Sequence, residues 1–220
     1  AVDLNDQVVT LRDWPSGQVR QSFNPPAGGF GTSAATISPD GRSVAVIGEG
    51  VRATIGIRNV GGVNIFDAAT GEARARIAST DAMPAVVTAL PDGSGFLVGS
   101  RTMVAPWPAG TPQPPHPSGE ALILYSAATG EPVRRFIPPD RPAGQYRSVT
   151  ALTVSADGHQ LAAAEDDFAI TVYETATGKV RHHFTGHRNE VIALAFTHDG
   201  RRLVSTSSDL TGLVWDVSQN

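Results

Sequence analysis

His187, Ser205 and Asp209 are the three side-chain types of a nucleophilic hydrolase, and they fall within one short stretch of the chain. In such a set the imidazole takes the hydroxyl proton as the oxygen attacks, and the carboxylate fixes the imidazole tautomer. Other residues invite other chemistry. His182-His183, beside Arg181, offers two imidazoles to a metal, but adjacent residues on a strand point to opposite faces, which disfavours a shared ion. Asp166-Asp167 offers carboxylates to calcium, yet no spaced series of oxygen ligands follows, and turn chemistry accounts for the pair. GGFGTS at 28–33 is rich in Gly like a phosphate loop, but no Lys follows and no helix pattern opens after it. Neither a metal nor a cofactor is expected from these residues.

The elements that carry the residues decide among these readings, and they repeat. One unit is an apolar strand ending in an Asp-Gly turn: AATISPDG at 34–41, VVTALPDG at 86–93, LTVSADG at 152–158 and ALAFTHDG at 193–200. The other is a short apolar strand with an aromatic near its end, then a turn containing Gly: VNIFDAATG at 63–71, LILYSAATG at 122–130 and TVYETATG at 171–178. The two units alternate, and each is followed by a further β-type run, such as RSVAVIG or KVRHHF. That spacing predicts four short strands per repeat, a to d, each bounded by turn chemistry. Asp-Gly suits the tight turns because Gly takes positive φ at no steric cost. Tyr173 and Trp215 are 42 residues apart, as are Gly158 and Gly200, and Asp167 and Asp209. No segment with helical periodicity competes.

Residues 186–216 read GHRNEVIALAFTHDGRRLVSTSSDLTGLVWD. With its Gly-His start, Asp-Gly turn, Ser-x-Ser-x-Asp segment and Trp-Asp end, this stretch resembles the WD40 repeat family. Earlier repeats resemble it more weakly, having lost most of the signature polar residues. The resemblance implies an all-β propeller whose four-stranded blades bury their faces only against each other. It also implies a scaffold without catalysis of its own. It assigns His187, Ser205, Asp209 and Trp215 to a buried hydrogen-bond network that satisfies the indole and the imidazole, instead of a catalytic triad. The aligned positions one repeat earlier are Gln145, Ala163, Asp167 and Tyr173, so that repeat keeps only the Asp.

The expected fold class is therefore an all-β, WD40-like β-propeller of antiparallel four-stranded sheets, incomplete at about four blades plus a partial one. The partial blade is expected over 1–24, with blades over about 33–78, 85–137, 148–184 and 191–220. QVVTLRDW and QVRQSF at the start read as a c–d pair, with Arg12 where later repeats have an aromatic; three full sets and a closing a-b-c set follow. The expectation is a fragment of a longer chain, for which the resemblance implies a seven-bladed ring. Irregular pairing of the ends, or strands supplied by a partner chain, are the alternatives.

Loops b–c and d–a of a blade share one face. From the Asp-Gly turn to the c–d turn Gly there are 20 residues in the repeat of Gly158 and Gly178, 30 between Gly41 and Gly71, and 37 between Gly93 and Gly130. The extra length falls in b–c loops of adjacent blades: a Gly-rich insertion at 48–62, with the character of a small hairpin, and a Pro-rich one at 101–119 that favours polyproline II. Long loops on a rigid scaffold are where binding concentrates. The candidate partner surface is Arg52, Arg58, Arg101, Trp107, His116, Arg141 and Tyr146. The expected partner is a protein or peptide. The net charge of −4 gives no footprint for nucleic acid or an anionic membrane, and no apolar run is long enough to span a bilayer. The chain has no Cys, which leaves the redox compartment open and excludes thiol chemistry. The alternative function is a propeller domain of a larger enzyme, quinoprotein-like or peptidase-associated, with catalysis elsewhere.

Overall fold

The Asp-Gly pairs do turn hairpins. Gly158 and Gly200 have φ of +75° and +66°, a region that L residues with a Cβ rarely enter. Ahead of each, a hydroxyl closes the turn: Ser155 Oγ donates to Asp157 Oδ1 at 2.6 Å, and Thr197 Oγ1 to Asp199 Oδ1 at 2.6 Å. The same carboxylate oxygens accept the His159 and Arg201 N–H groups at 2.9 and 3.1 Å.

The computed structural model describes residues 2–5, 8–24, 32–48, 61–78, 83–101, 122–137 and 148–218. All regular elements among them are strands, arranged in five antiparallel sheets. The first sheet holds β1 (Val2–Asn5), β2 (Val8–Arg12) and β3 (Val19–Phe23). The second holds β4 (Thr32–Ile37), β5 (Ser43–Gly48), β6 (Gly62–Asp67) and β7 (Ala73–Ala78). The third runs β8 (Met83–Ala89), β9 (Gly95–Arg101), β10 (Leu122–Ser126) and β11 (Pro132–Phe136). The fourth runs β12 (Val149–Val154), β13 (Gln160–Glu165), β14 (Ile170–Glu174) and β15 (Val180–Phe184). The fifth has β16 (Val191–Phe196), β17 (Arg202–Ser207) and β18 (Gly212–Asp216). Within each sheet the strands lie in chain order. This is an incomplete WD40-type propeller.

One expectation is corrected. The opening sheet is not a c–d pair: β1 adds a strand at the b position, with Val2 opposite Leu11 and Asn5 opposite Val8. Half of VDLN is Asp and Asn, residues depleted in strands, so its pattern is too short and too polar to read as one. The insertion read as 48–62 is also shorter, because Gly48 and Gly62 pair with each other at the end of the β5–β6 ladder.

Each interface between successive sheets has its own apolar cluster. Val9, Leu11 and Phe23 meet Val44, Val46 and Phe66; Ala45, Val63, Ile65 and Ile77 meet Phe96 and Val98. Leu97, Leu122, Leu124 and Phe136 meet Leu161 and Tyr173; Ala162, Ala164, Ile170 and Val172 meet Val191 and Leu203. β5, β6 and β13 are buried along nearly their whole length, as sheets covered on both faces require. At three interfaces the aromatic of strand c lies against the last residue of strand d in the sheet before it. Phe66 meets Phe23 at 5.4 Å between ring centroids, Tyr173 meets Phe136 edge-on at 5.5 Å, and Trp215 stacks on Phe184 at 4.9 Å. Polar bonds cross the last interface too, from Thr150 Oγ1 to the Val191 carbonyl at 2.8 Å and from Gln160 Nε2 to the Gly200 carbonyl at 3.2 Å.

Candidate functional site

The fifth sheet brings His187, Ser205, Asp209 and Trp215 together. Ser205 is in the middle of β17 with no exposed surface, and the β18 register sets it opposite Leu213, two residues before Trp215. The Trp215 Nε1–H donates to Ser205 Oγ at 2.8 Å. His187, in the loop before β16, sets Nε2 2.7 Å from Ser205 Oγ and Nδ1 3.1 Å from Asp209 Oδ2. A carboxylate can only accept, so the neutral ring carries its proton on Nδ1, and Nε2 takes the Ser205 O–H. The chain of donors then runs Trp215 to Ser205 to His187 to Asp209.

Asp209 is heavily served. The Thr211 hydroxyl donates to Oδ1 at 2.5 Å, the Thr211 N–H to the same oxygen at 2.9 Å, and the Arg188 N–H to Oδ2 at 2.8 Å. These bonds, the Thr211 hydroxyl first, hold the carboxyl well below the usual Asp range. Thr211, whose hydroxyl also lies 3.2 Å from His187 Nδ1, was missed in the sequence. Its signal was present: Asp209-x-Thr211 mirrors the hydroxyl-x-Asp boxes of the Asp-Gly turns.

The order Ser–His–Asp is that of a hydrolase triad, but the chemistry differs. A nucleophilic oxygen needs room for substrate and a free lone pair on the attacking side. Ser205 Oγ is buried inside the blade, and the indole N–H occupies it.

The other singled-out residues take turn and strand roles. Asp166 accepts the Ser148 N–H at 3.2 Å, and Asp167 accepts the Ala169 N–H at 3.2 Å. His183 Nδ1 lies 3.2 Å from Thr171 Oγ1, while the His182 ring stacks on Phe184. Among the described residues no group of three or more His, Asp or Glu side chains is placed to hold a metal. Arg12 donates to the Gly17 carbonyl at 3.1 Å across its own hairpin.

Of the candidate partner surface, Arg101 lies at the end of β9 and is exposed. Arg52, Arg58, Trp107, His116, Arg141 and Tyr146 lie outside the described residues, as does Gln145. Arg101 has a partner that the sequence does not reveal. Its Nη2 sits 3.3 Å from Glu190 Oε1, although 89 residues separate the two. β9 belongs to the third sheet and Glu190 to the d–a loop that enters the fifth, so the contact joins two sheets that are not neighbours in the chain.

Residues 178–216 match the family described as WD domain, G-beta repeat. WD repeat-containing protein 36 of Homo sapiens is 34% identical over 70 residues, covering 32% of this chain and 8% of that protein. Periodic tryptophan protein 2 of Arabidopsis thaliana is 38% identical over 76 residues, 34% of this chain and 8% of its own length. COMPASS component SWD3 of Saccharomyces cerevisiae is 32% identical over 84 residues, 38% of this chain and 26% of its own. Joined to the fifth-sheet signature, these likenesses identify residues 178–216 as a WD40 repeat, and the sheet order continues the same four-stranded pattern before it. It spans less than a tenth of the length of the human and Arabidopsis relatives and about a quarter of the yeast one.

Proposed function

We propose that the chain acts as an interaction scaffold, binding a protein or peptide on the face from which its b–c and d–a loops emerge, without catalysis of its own. The Arg101–Glu190 contact carries this reading. It joins the end of a b strand, where a b–c loop begins, to a d–a loop of a sheet that is not its neighbour in the chain. Both partners are about half exposed, at 52% and 45% of their side-chain surface, and such a pair adds only about 0–1 kcal/mol to stability. It is worth more as a pair of polar handles for a ligand. The two long insertions and Arg141 and Tyr146 belong by sequence to the same loop sets. That one relative is named as a component of COMPASS is in keeping with a role inside an assembly.

The test removes the surface and keeps the blades. Residues 104–118 are trimmed to a tight turn, and Arg101→Ala is made separately. Partners are captured with each variant and with the parent chain, and compared by quantitative mass spectrometry. Loss of the same partners in both variants supports the reading. Unchanged capture by both refutes it.

A further inference from the structure

The d strands β3, β7, β11 and β15 each have a single strand neighbour among the described residues. Such an edge leaves a row of N–H and C=O groups unpaired, and charged side chains and bulges guard it against pairing. All four edges share one bulge. The register with strand c skips Arg20 in β3, Arg74 in β7, Val133 in β11 and Arg181 in β15, each three residues after the c–d turn Gly. Arg20 Nε lies 3.0 Å from Asp13 Oδ1, and Arg74 pairs with Asp67, so each bulge Arg is tied to an acid four residues before that Gly. Glu174 and Arg181 hold the same two positions in the fourth sheet. The third sheet has Ser126 and Val133 instead, so its edge carries the bulge without the charge pair. Val133 is 58% exposed, and Ile137, just past the strand, is 66% exposed. Neither β7 nor β15 exposes a large apolar side chain among the described residues. Arg134 and Phe136 pair with Leu124 and Leu122, which meet the fourth sheet. Alternation puts the exposed Arg135 on the other face, with Ile137 after it. The edge therefore displays an apolar side chain, a cation and an apolar side chain in sequence.

We propose that the open edge of β11 receives an extended acidic segment of a partner protein. The segment adds to the third sheet as a fifth strand and sets a carboxylate between two apolar side chains, opposite Arg135, Val133 and Ile137. In strand addition the main-chain bonds supply affinity and alternate side chains supply specificity. Opposite charges and apolar pairs across two strands are each favourable, whereas like charges directly opposite are not. That rule selects the occupant. Antiparallel pairing of two copies of β11 with their apolar ends matched sets Arg135 against Arg135. The chain's other d edges offer no complement either, since VRQSF, ARARIA and VRHHF contain no acid. The third sheet is packed between the second and the fourth, so this edge lies on the rim in the interior of the repeat array.

The test titrates the full 220-residue chain into a fluorescein-labelled, end-capped peptide, Thr-Val-Thr-Glu-Thr-Val-Thr, read by fluorescence anisotropy over about 10 µM to 1 mM. The expected result is saturable binding that falls tenfold or more when Lys replaces the peptide's Glu, and likewise with Arg135→Glu or Val133→Thr in the chain. The Lys peptide regains binding to Arg135→Glu. Arg76→Glu, on the edge of the second sheet, leaves binding unchanged. Two further peptides carry N-methyl groups on alternate residues, one on the Val and Glu set and one on the Thr set. Only one set can face a ladder, so one of these peptides loses binding and the other keeps it. The near-ultraviolet signal of Trp215 reports that each variant is folded. Should a variant fail that check, the Lys and N-methyl peptides test the unaltered chain. Absence of binding overturns the proposal. So does an equal loss with Arg76→Glu, which would mean attraction to positive charge at large, and so do two N-methyl peptides that behave alike. Self-association of the chain that competes with the peptide overturns it too, by giving the edge to a second copy.

Discussion

Ser205→Ala tests whether the triad-like set is structural. The substitution removes one oxygen that serves two neighbours. His187 Nε2 loses the O–H at 2.7 Å, and the Trp215 N–H loses its acceptor at 2.8 Å. The His187 side chain is fully buried, so its orphaned nitrogen has no water to turn to. A buried polar group left unpaired costs about 1–3 kcal/mol. Trp215 is only half-buried, so its share falls at the low end. The methyl itself is no obstacle, because Ala163 fills the equivalent place in the fourth sheet with no exposed surface. The sum is about 2–4 kcal/mol, or about 5–12 °C in Tm for a chain of this size. Urea and thermal unfolding followed by circular dichroism measure it. Trp215→Phe keeps the ring over Phe184 and removes only the N–H, so Ser205→Ala with Trp215→Phe should cost about 1 kcal/mol less than the two single losses together. A Ser205→Ala loss under about 0.5 kcal/mol, or strict additivity in the double variant, would refute the network argument. A catalytic serine gives the opposite pattern, with stability kept and a hydrolytic activity lost.

Three further outcomes follow from the geometry. A Cβ on Gly99 in β9 would lie 2.6 Å from Val86 and 2.7 Å from Val149 of the next sheet, so Gly99→Ala should destabilise by about 1–3 kcal/mol in urea unfolding; a neutral result would mean that these sheets slide freely. Leu210 holds a left-handed φ of 68° at 96% exposure, so Leu210→Gly should stabilise by about 0.5–1 kcal/mol, the relief of strain less the chain entropy of Gly, while a clear loss would show that the side chain has a partner. Asp209, Asp157 and Asp199 are each held below the ordinary value of 3.8, by the hydroxyls of Thr211, Ser155 and Thr197 first. Because folding lowers these values, their stabilisation is complete above about pH 5 and is lost as the pH falls through the unfolded value toward the folded ones. The urea midpoint should fall as the pH drops from 5 to 3; a midpoint unchanged between those values would contradict it.

Strand boundaries were legible wherever turn chemistry marked them. Asp-Gly and Ala-Thr-Gly fix φ locally, and the order of the fifteen strands from β4 to β18 is readable from those marks and from the 42-residue offset. β1 escaped because two of its four residues are Asp and Asn and its partner strand supplies the order. Contacts across sheets were not legible. The aromatic of strand c was visible as a pattern, but that it meets Phe23, Phe136 or Phe184 depends on how two sheets sit together, which no local spacing states. The four network residues share one 31-residue signature and could be read as a set. Arg101 and Glu190 belong to different repeats with no periodic relation, so only the assembled fold pairs them.

The contrast between sheets separates what stacks the blades from what locks one of them. The Phe66 side chain has no polar atom, yet its sheet packs on the first through a tilted contact with Phe23, from the same strand-c position that Trp215 uses to stack on Phe184. Ring-on-ring contact, within its apolar cluster, therefore survives where the polar signature is lost. The His187 network does something the rings do not: it ties the loop before β16 and the turn after β17 to the middle of the sheet, through Asp209 at one end and Trp215 at the other. It fixes the loops of the fifth sheet on the face that carries Glu190. Where Arg12 replaces the aromatic, neither device operates, and the guanidinium bonds its own hairpin. A substitution in a ring should therefore loosen two sheets at once, and one in the network should loosen a single loop pair before the blade itself gives way.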